Sequence, residues 1–294
     1  MTVGAVPLRL SRERIALYGA LLVVIASLPF IIFPSWFVDV ALRGDFANFW
    51  SAGATVGTSL LTNFHGLSAW QHTRHITPQS FVYPPGFAWF YEPFSYLNPV
   101  AAMALQDAAM VGFLTISALI AAQTYGLARW FAFVAVFAWG PAISSVELGQ
   151  NTPLALALTL GAIWALTRGS AAVAGVTIGL LLYKPSIALP LLVLLLLRSQ
   201  WRALAIAGAV AIGWYLLSVL ATHGDWWWPG YYVRLIASTN AGEFAGNAHK
   251  AYTVPTLLLA LRLPSSLAYG VALLVFVAGF AVLARAPMLG AASL

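Results

Sequence analysis

Residues 171–197 read AAVAGVTIGLLLYKPSIALPLLVLLLL, an apolar run interrupted once, at Tyr183-Lys184-Pro185-Ser186. As one helix its 27 residues would rise about 40 Å, too long for one upright crossing of a hydrocarbon core of about 30 Å and too short for two full ones. Proline lacks an N–H and disfavours helix at the residue before it, so the break falls at Lys184. Charge chooses between the two readings. If the run is two short spans meeting at Lys184, then Arg9, Arg12, Arg14, Arg129, Arg168, Arg198, Arg202 and Arg285 all fall on one side, cytoplasmic by the positive-inside rule. A single span would send Arg198 and Arg202 to the side opposite Arg168. The pattern therefore predicts two shortened helices.

With that choice made, the other apolar runs, at roughly 15–33, 100–122, 127–144, 152–167, 202–221 and 267–285, bring the expected count to about eight crossings, with both termini cytoplasmic. Only 7% of the residues are charged, against about 25% in a soluble domain. The fold class is an all-α integral membrane protein, a single membrane domain over residues 1–294 with a cytoplasmic N-terminus at 1–14. The first run follows three arginines, exceeds a signal-peptide core and lacks a small-x-small cleavage site, so it is expected to be a retained signal anchor. The net charge of +6 is scattered between apolar runs and forms no basic, aromatic-interleaved face, so nucleic acid is not an expected partner. The absence of cysteine removes disulfides, thiolate metal sites and thiol nucleophiles.

Function is sought on the outer face, where this topology places the long connections, 34–99 and 222–253, and six of the eight acids. The first of these loops, about 66 residues long, carries Arg43-Gly-Asp-Phe-Ala-Asn-Phe-Trp50. An acid about ten residues beyond a span, followed by Phe46, Phe49 and Trp50 at helical spacing, suits a carboxylate held on an interfacial helix. Asp45 is the leading candidate for the chemistry, with an N-cap of a helix starting at Phe46 as the plainer role. Asp39 reads as an interfacial acid, and the two do not form an Asp-x-Asp pair for a divalent cation. Further on, Phe81-Val-Tyr-Pro-Pro-Gly86 makes a rigid turn expected to fold the loop back over the bilayer.

Lys184, left by the helix break near the outer surface, suits a phosphate of a lipid headgroup as a binding partner, or simply snorkels. Asp107, about 10 Å into the second span, reads either as a substrate contact or as one half of a structural pair with Lys184 or Gln150. Glu147-Leu-Gly-Gln150-Asn151 is a tight polar loop whose glycine is explained by a helix end, while its Gln-Asn pair is not. His65, His72 and His75 lack a carboxylate at ligand spacing and read as surface histidines in preference to a metal site. His249-Lys250 in the last outer loop suits an anion or a solvated pair, and Trp226, Trp227 and Trp228 an aromatic belt. No P-loop or Rossmann fingerprint is present, and no cofactor is expected.

Taken in order, Asp45-Phe-Ala-Asn-Phe-Trp50, Phe81-Val-Tyr83-Pro-Pro85, Gly149-Gln150-Asn151, Ala174-Gly175-Val-Thr-Ile-Gly179, Lys184-Pro185 with the leucine run to Arg198-Ser-Gln-Trp-Arg202, and Gly246-Asn247 resemble glycosyltransferase family 87 over roughly residues 15–260. These are multi-spanning C-type enzymes that use polyprenyl-phosphate mannose. The resemblance implies a hexose, mannose in this family, moved with inversion from a polyprenyl-phosphate donor to a lipid-linked or envelope glycan at the outer face of the cytoplasmic membrane. It further implies an aspartate of the first outer loop as base, here Asp45; beside it, the residues themselves offer Lys184, Tyr83, Gln150, Asn151, His249 and Lys250 as substrate-binding candidates. Two departures stand out: Gly246-Asn247 continues Ala-His-Lys where Gln-Ser is more usual, and the chain stops at Leu294. The competing classes are a transporter or lipid flippase, suggested by the broken helix and Asp107, and a catalytically silent relative. The polar load in one long outer loop favours an enzyme.

Overall fold

The computed structural model describes residues 34–247, Leu258 and residues 261–285. Every regular element among them is helical. The stretch 34–99 forms α1 (Pro34–Arg43), α2 (Asp45–Ala54), α3 (Phe64–His72) and α4 (Ala88–Ser95), with single 3-10 turns at Ser59–Thr62 and Pro85–Phe87. The apolar bundle follows as α5 (Pro99–Tyr125), α6 (Arg129–Phe137), α7 (Gly140–Glu147), α8 (Thr152–Thr167), α9 (Ala171–Leu180), α10 (Pro185–Leu197) and α11 (Trp201–Ala221). Two further helices, α12 (Trp228–Asn247) and α13 (Ser265–Arg285), complete the described chain.

By length and composition, α5 and α11 are the two described helices able to cross a membrane outright. Shorter apolar helices occupy Thr152–Thr167, Ala171–Tyr183, Pro185–Leu197 and Ser266–Gly279. Of the eight or so expected crossings, two of them shortened, two are long and apolar enough to span outright among the described residues, and the run at 15–33 lies outside them. The run at 127–144 is corrected as well: it is two helices, α6 and α7, joined at Ala138-Trp139. Pro141, at the start of α7, lacks the N–H that would continue one ladder and disfavours helix just before it. Most of the last outer loop proves helical, as α12.

Contacts between helices fix their directions. Gln106 of α5 reaches Gly149, just before α8, while Gln123 accepts a hydrogen bond from Trp164 Nε1 at 3.1 Å, so α5 and α8 run the same way. Tyr183 Oη donates to the Asn151 carbonyl at 3.0 Å, and Thr177 lies against Gly161, so α9 runs back along α8. A Cβ at Gly175 would sit 2.6 Å from the Ala203 carbonyl oxygen and one at Gly179 2.5 Å from Val210 Cβ, close approaches that a side chain would prevent. α9 and α11 are thus parallel, and the chain from 171 to 203 leaves one end of the bundle and returns to it, reversing at the Lys184-Pro185 break. Asn151, Tyr183, Lys184 and Ser218 gather at one end, and Arg129, Arg168, Arg198 and Arg202 belong to the other.

The main core lies at the Lys184 end. Phe46 and Phe49 of α2 are buried, so the aromatic face expected at the membrane interface is turned into the protein. Phe49 stacks on Tyr91 at 4.9 Å between ring centroids, and Trp50 Nε1 donates to the Leu97 carbonyl at 3.1 Å. Phe87 stacks on Tyr183 at 4.2 Å, joining the outer loop to the tip of the α9–α10 hairpin. The Phe81–Gly86 turn is fastened to the end of α11, where the Gly86 N–H donates to Ser218 Oγ at 2.8 Å and Trp89 Nε1 to the Leu217 carbonyl at 3.1 Å.

Candidate active site

Asp45 opens α2 in its first turn, behind the extended Gly44, which occupies the cap position. The N-cap role considered for Asp45 is therefore corrected: its carboxylate makes no cap bond and instead accepts a hydrogen bond from Gln150 Nε2. A carboxylate in a first turn is favoured by the helix dipole. Burial pushes the Asp45 carboxyl above its ordinary range, while the Gln150 donor and the Lys184 charge act in the opposite direction.

The loop that delivers Gln150 is sharply bent. The Gln150 N–H donates to the Ser145 carbonyl at 2.7 Å, closing the end of α7. Gly149 is left-handed at φ +65°, and a Cβ there would lie 2.6 Å from Phe46 Cβ. Only glycine meets both conditions without strain. Asn151 follows at the start of α8, wholly enclosed, its carbonyl taken by Tyr183. The Asn151 amide is close enough to the Tyr91 phenol to influence its ionisation, although no hydrogen bond of regular geometry joins them among the described residues. Asn151 is thus part of the floor of the site.

Lys184 stands where the 3-10 turn Leu181–Tyr183 meets α10; its N–H donates to the Leu181 carbonyl at 2.8 Å and Pro185 begins the next helix. Its Nζ donates to Thr152 Oγ1 at 3.0 Å. Burial pushes the ammonium down to about 8, and the Asp45 charge opposes the shift. Tyr83 is half-buried among Phe49, Phe81, Phe87 and Tyr183, with ring centroids at 5.2, 5.6, 5.6 and 6.2 Å. Asp45, Tyr83, Gln150, Asn151 and Lys184 are therefore brought to one end of the bundle from four separate stretches of chain.

The remaining candidates divide. His249 and Lys250 lie outside the described residues. His65, His72 and His75 are exposed, and among the described residues no group of three His, Cys, Asp or Glu side chains converges as metal ligands would. Asp39 pairs with Arg43 at 3.2 Å on the surface. Asp107 is buried with its Oδ1 unpartnered among the described residues; Lys184 and Gln150, its expected partners, engage Thr152 and Asp45 instead. Reading the sequence missed Thr152, Tyr183, Tyr91 and Gln106. For Gln106 a signal existed, a second polar residue beside Asp107 inside an apolar helix.

A carboxylate, an amide donor and an ammonium are held at one end of an apolar helical bundle of the kind membrane proteins have. The sequence model of glycosyltransferase family 87 matches residues 81–293, and the chain belongs to that family: it is a glycosyltransferase. No curated protein and no solved structure matches the chain. The matched stretch contains Tyr83, Gln150, Asn151 and Lys184 and begins after Asp45, so the place of Asp45 in the site rests on the hydrogen bond from Gln150 and on the Lys184 charge that acts on it.

Proposed function

We propose that this glycosyltransferase moves a hexose, mannose in particular, from a polyprenyl-phosphate donor to a lipid-linked or envelope glycan acceptor, with inversion, at the outer face of the cytoplasmic membrane. The observation that carries the reading is the convergence of Gln150 and Lys184 on Asp45. In a single displacement the acceptor hydroxyl oxygen attacks the anomeric carbon, Asp45 takes the hydroxyl proton, and the bond to the phosphate oxygen breaks with its electron pair leaving on the phosphate. A carboxylate whose affinity for protons is raised by burial is a better base near neutral pH than an exposed one. The departing phosphate gains charge in the transition state, and a fixed ammonium there stabilises it selectively. Lys184 is that cation in this reading.

The rest of the geometry is consistent with a lipid donor. An apolar cavity of about 260 Å³ lies between α10 and α11, lined by Leu192, Leu196, Leu204 and Ala207 and by Leu182, which precedes Lys184 by two residues in the chain. A polyprenyl tail requires such a groove beside its phosphate. Arg129, Arg168, Arg198 and Arg202 belong to the far end, which the positive-inside rule makes cytoplasmic, in a multi-pass arrangement. The test is direct: membranes containing the chain are incubated with radiolabelled polyprenyl-phosphate mannose. A new labelled glycan, absent with Asp45→Asn, is expected; an unconsumed donor with folded wild-type protein would overturn the assignment.

A further inference from the structure

Gln106 is a fully buried amide about 10 Å along α5, in a helix that is otherwise apolar nearly throughout. Its Nε2 donates to the carbonyl of Gly149. Its Oε1 has no partner among the described residues, so one side of a desolvated amide is left unsatisfied while the other grips the loop. Leaving such a group unpaired costs stability, and an apolar residue of the same size would avoid the cost.

What the donated bond holds is specific. Gly149 is pressed on its other side against Phe46, the neighbour of Asp45, and its left-handed backbone turns the chain so that the next residue, Gln150, faces Asp45. The Gly149 carbonyl belongs to the peptide unit that Gln150 continues. Gln106 therefore fixes that unit from within the bundle while Phe46 blocks it from α2. A loop free to rotate about this peptide would lose the aim of the Gln150 amide.

We propose that Gln106 is a positioning residue of the transfer reaction, holding the Gly149–Gln150 peptide so that the Gln150 amide is presented to Asp45. The importance for turnover rests on Asp45 acting as the base; the coupling itself does not. The groups acting on Asp45 are the Gln150 amide from the loop before α8 and the Lys184 ammonium from the α9–α10 break. Gln106 carries no charge and its hydrogen bond goes to the Gly149 carbonyl, so its effect on Asp45 passes through the loop.

The test reads Asp45 directly. In purified protein with isotope-labelled aspartate, the Asp45 carboxyl band is identified by its loss in Asp45→Asn, and its titration is followed by infrared difference spectroscopy. Gln106→Met keeps size and removes the donor. It is expected to raise the Asp45 midpoint by about one to two pH units, since a donor lost from a charged acceptor favours the protonated form. Gln150→Met should give a similar shift, and the double variant no more than either alone, because the two act in series. An unchanged midpoint in folded Gln106→Met, or additive shifts, would overturn the proposal. If Gln106→Met does not fold, Gln106→Asn, which withdraws the donor by one methylene, carries the same comparison. Failure of both to fold would make Gln106 a packing residue and overturn the proposal. Normal sugar transfer by Asp45→Asn would remove Asp45 as base, and the coupling would still be read in the titration.

Discussion

The Gln150 side-chain amide donates to the carboxylate of Asp45, across 105 residues of chain. The bond joins the first turn of α2 to the loop that opens α8, and it does so beside a buried ammonium, Lys184. Burial raises the Asp45 pKa above its ordinary value, and one neutral donor and one positive charge oppose that shift. The outcome is a carboxylate held above the ordinary range by burial and drawn part of the way back by its two neighbours. In the proposed reaction, a raised carboxylate pKa makes a better base for a sugar hydroxyl proton than an ordinary one.

Asp45→Asn tests that balance most simply. The asparagine oxygen can still accept from Gln150, so the loop keeps its anchor and the protein should remain folded with little change in melting temperature. Transfer from polyprenyl-phosphate mannose should fall by about 100-fold or more, the scale of a lost general base. Asp39→Asn, which breaks only an exposed pair with Arg43, should leave turnover near wild type.

The dependence on pH follows from the same pair of groups. Asp45 must be ionised to act, so the rate should fall on the acid side as pH drops through its raised pKa, above the ordinary carboxylate range. Lys184 must be charged to meet a phosphate, so the rate should fall on the alkaline side as pH rises through about 8. A bell-shaped profile of kcat/KM is expected, its limbs being properties of the pair. Lys184→Arg should move the alkaline limb upward out of the accessible range. An alkaline limb unmoved by that change would assign it to another group.

Much of this was legible in the sequence, and the parts that were not share a physical cause. The Lys184-Pro185 break and the reversal of the chain there could be read because proline and the arginine distribution both report on backbone direction. Asp45, Gln150 and Lys184 stood out as polar residues between apolar runs. The break between α6 and α7 was overlooked because the run at 127–144 is apolar throughout and Pro141 lies near its end. The burial of α2 could not be read either. Phe46, Phe49 and Trp50 at helical spacing look the same whether they face lipid or the rings of Tyr83 and Tyr91. Gln106 carried one signal, its place beside Asp107 in a largely apolar helix, but the pattern of α5 does not mark which face meets the loop.

Gly149→Ala tests the loop by stability. The substituted residue would be left-handed, and its Cβ would press on Phe46 Cβ at 2.6 Å. Strain and overpacking together should cost about 2–5 kcal/mol, seen as a lower melting temperature of the purified protein. A variant as stable as wild type would show that the turn and Phe46 can both relax.

Because the chain has no cysteine, its sidedness can be measured with single introduced thiols. A cysteine at Ser68, in α3 of the outer loop, should react with an impermeant maleimide applied to intact cells. Cysteines at Ser170 and Ser199, in the short turns before α9 and α11, should react only after the membrane is opened. Labelling of Ser199 from outside would contradict the reversal at Lys184.

The last prediction separates a phosphate-binding role for Lys184 from a structural one. In the structure its ammonium donates to Thr152 Oγ1 and lies within electrostatic reach of Asp45. If it also meets the donor phosphate, turnover should fall in the order Lys, Arg, Gln. Arginine preserves the charge but replaces a point donor by a planar fork, whereas glutamine preserves length and loses the charge. The loss with Lys184→Gln should be large, because a charge-assisted contact in a partly dehydrated site contributes more than the same contact in water. It should also appear with shortened polyprenyl-phosphate donors, which share the phosphate but lack most of the tail. Thr152→Val gives the control. It removes the hydroxyl that holds Nζ and leaves the charge in place, so a modest rise in KM with kcat nearly intact is expected. Were Lys184 only tying α10 to α8, Thr152→Val and Lys184→Gln would both lower melting temperature, and the folded protein of each would transfer sugar normally. Normal donor kinetics in Lys184→Gln would take the lysine out of the site and move the search for the phosphate ligand to Arg234 and to His249 and Lys250.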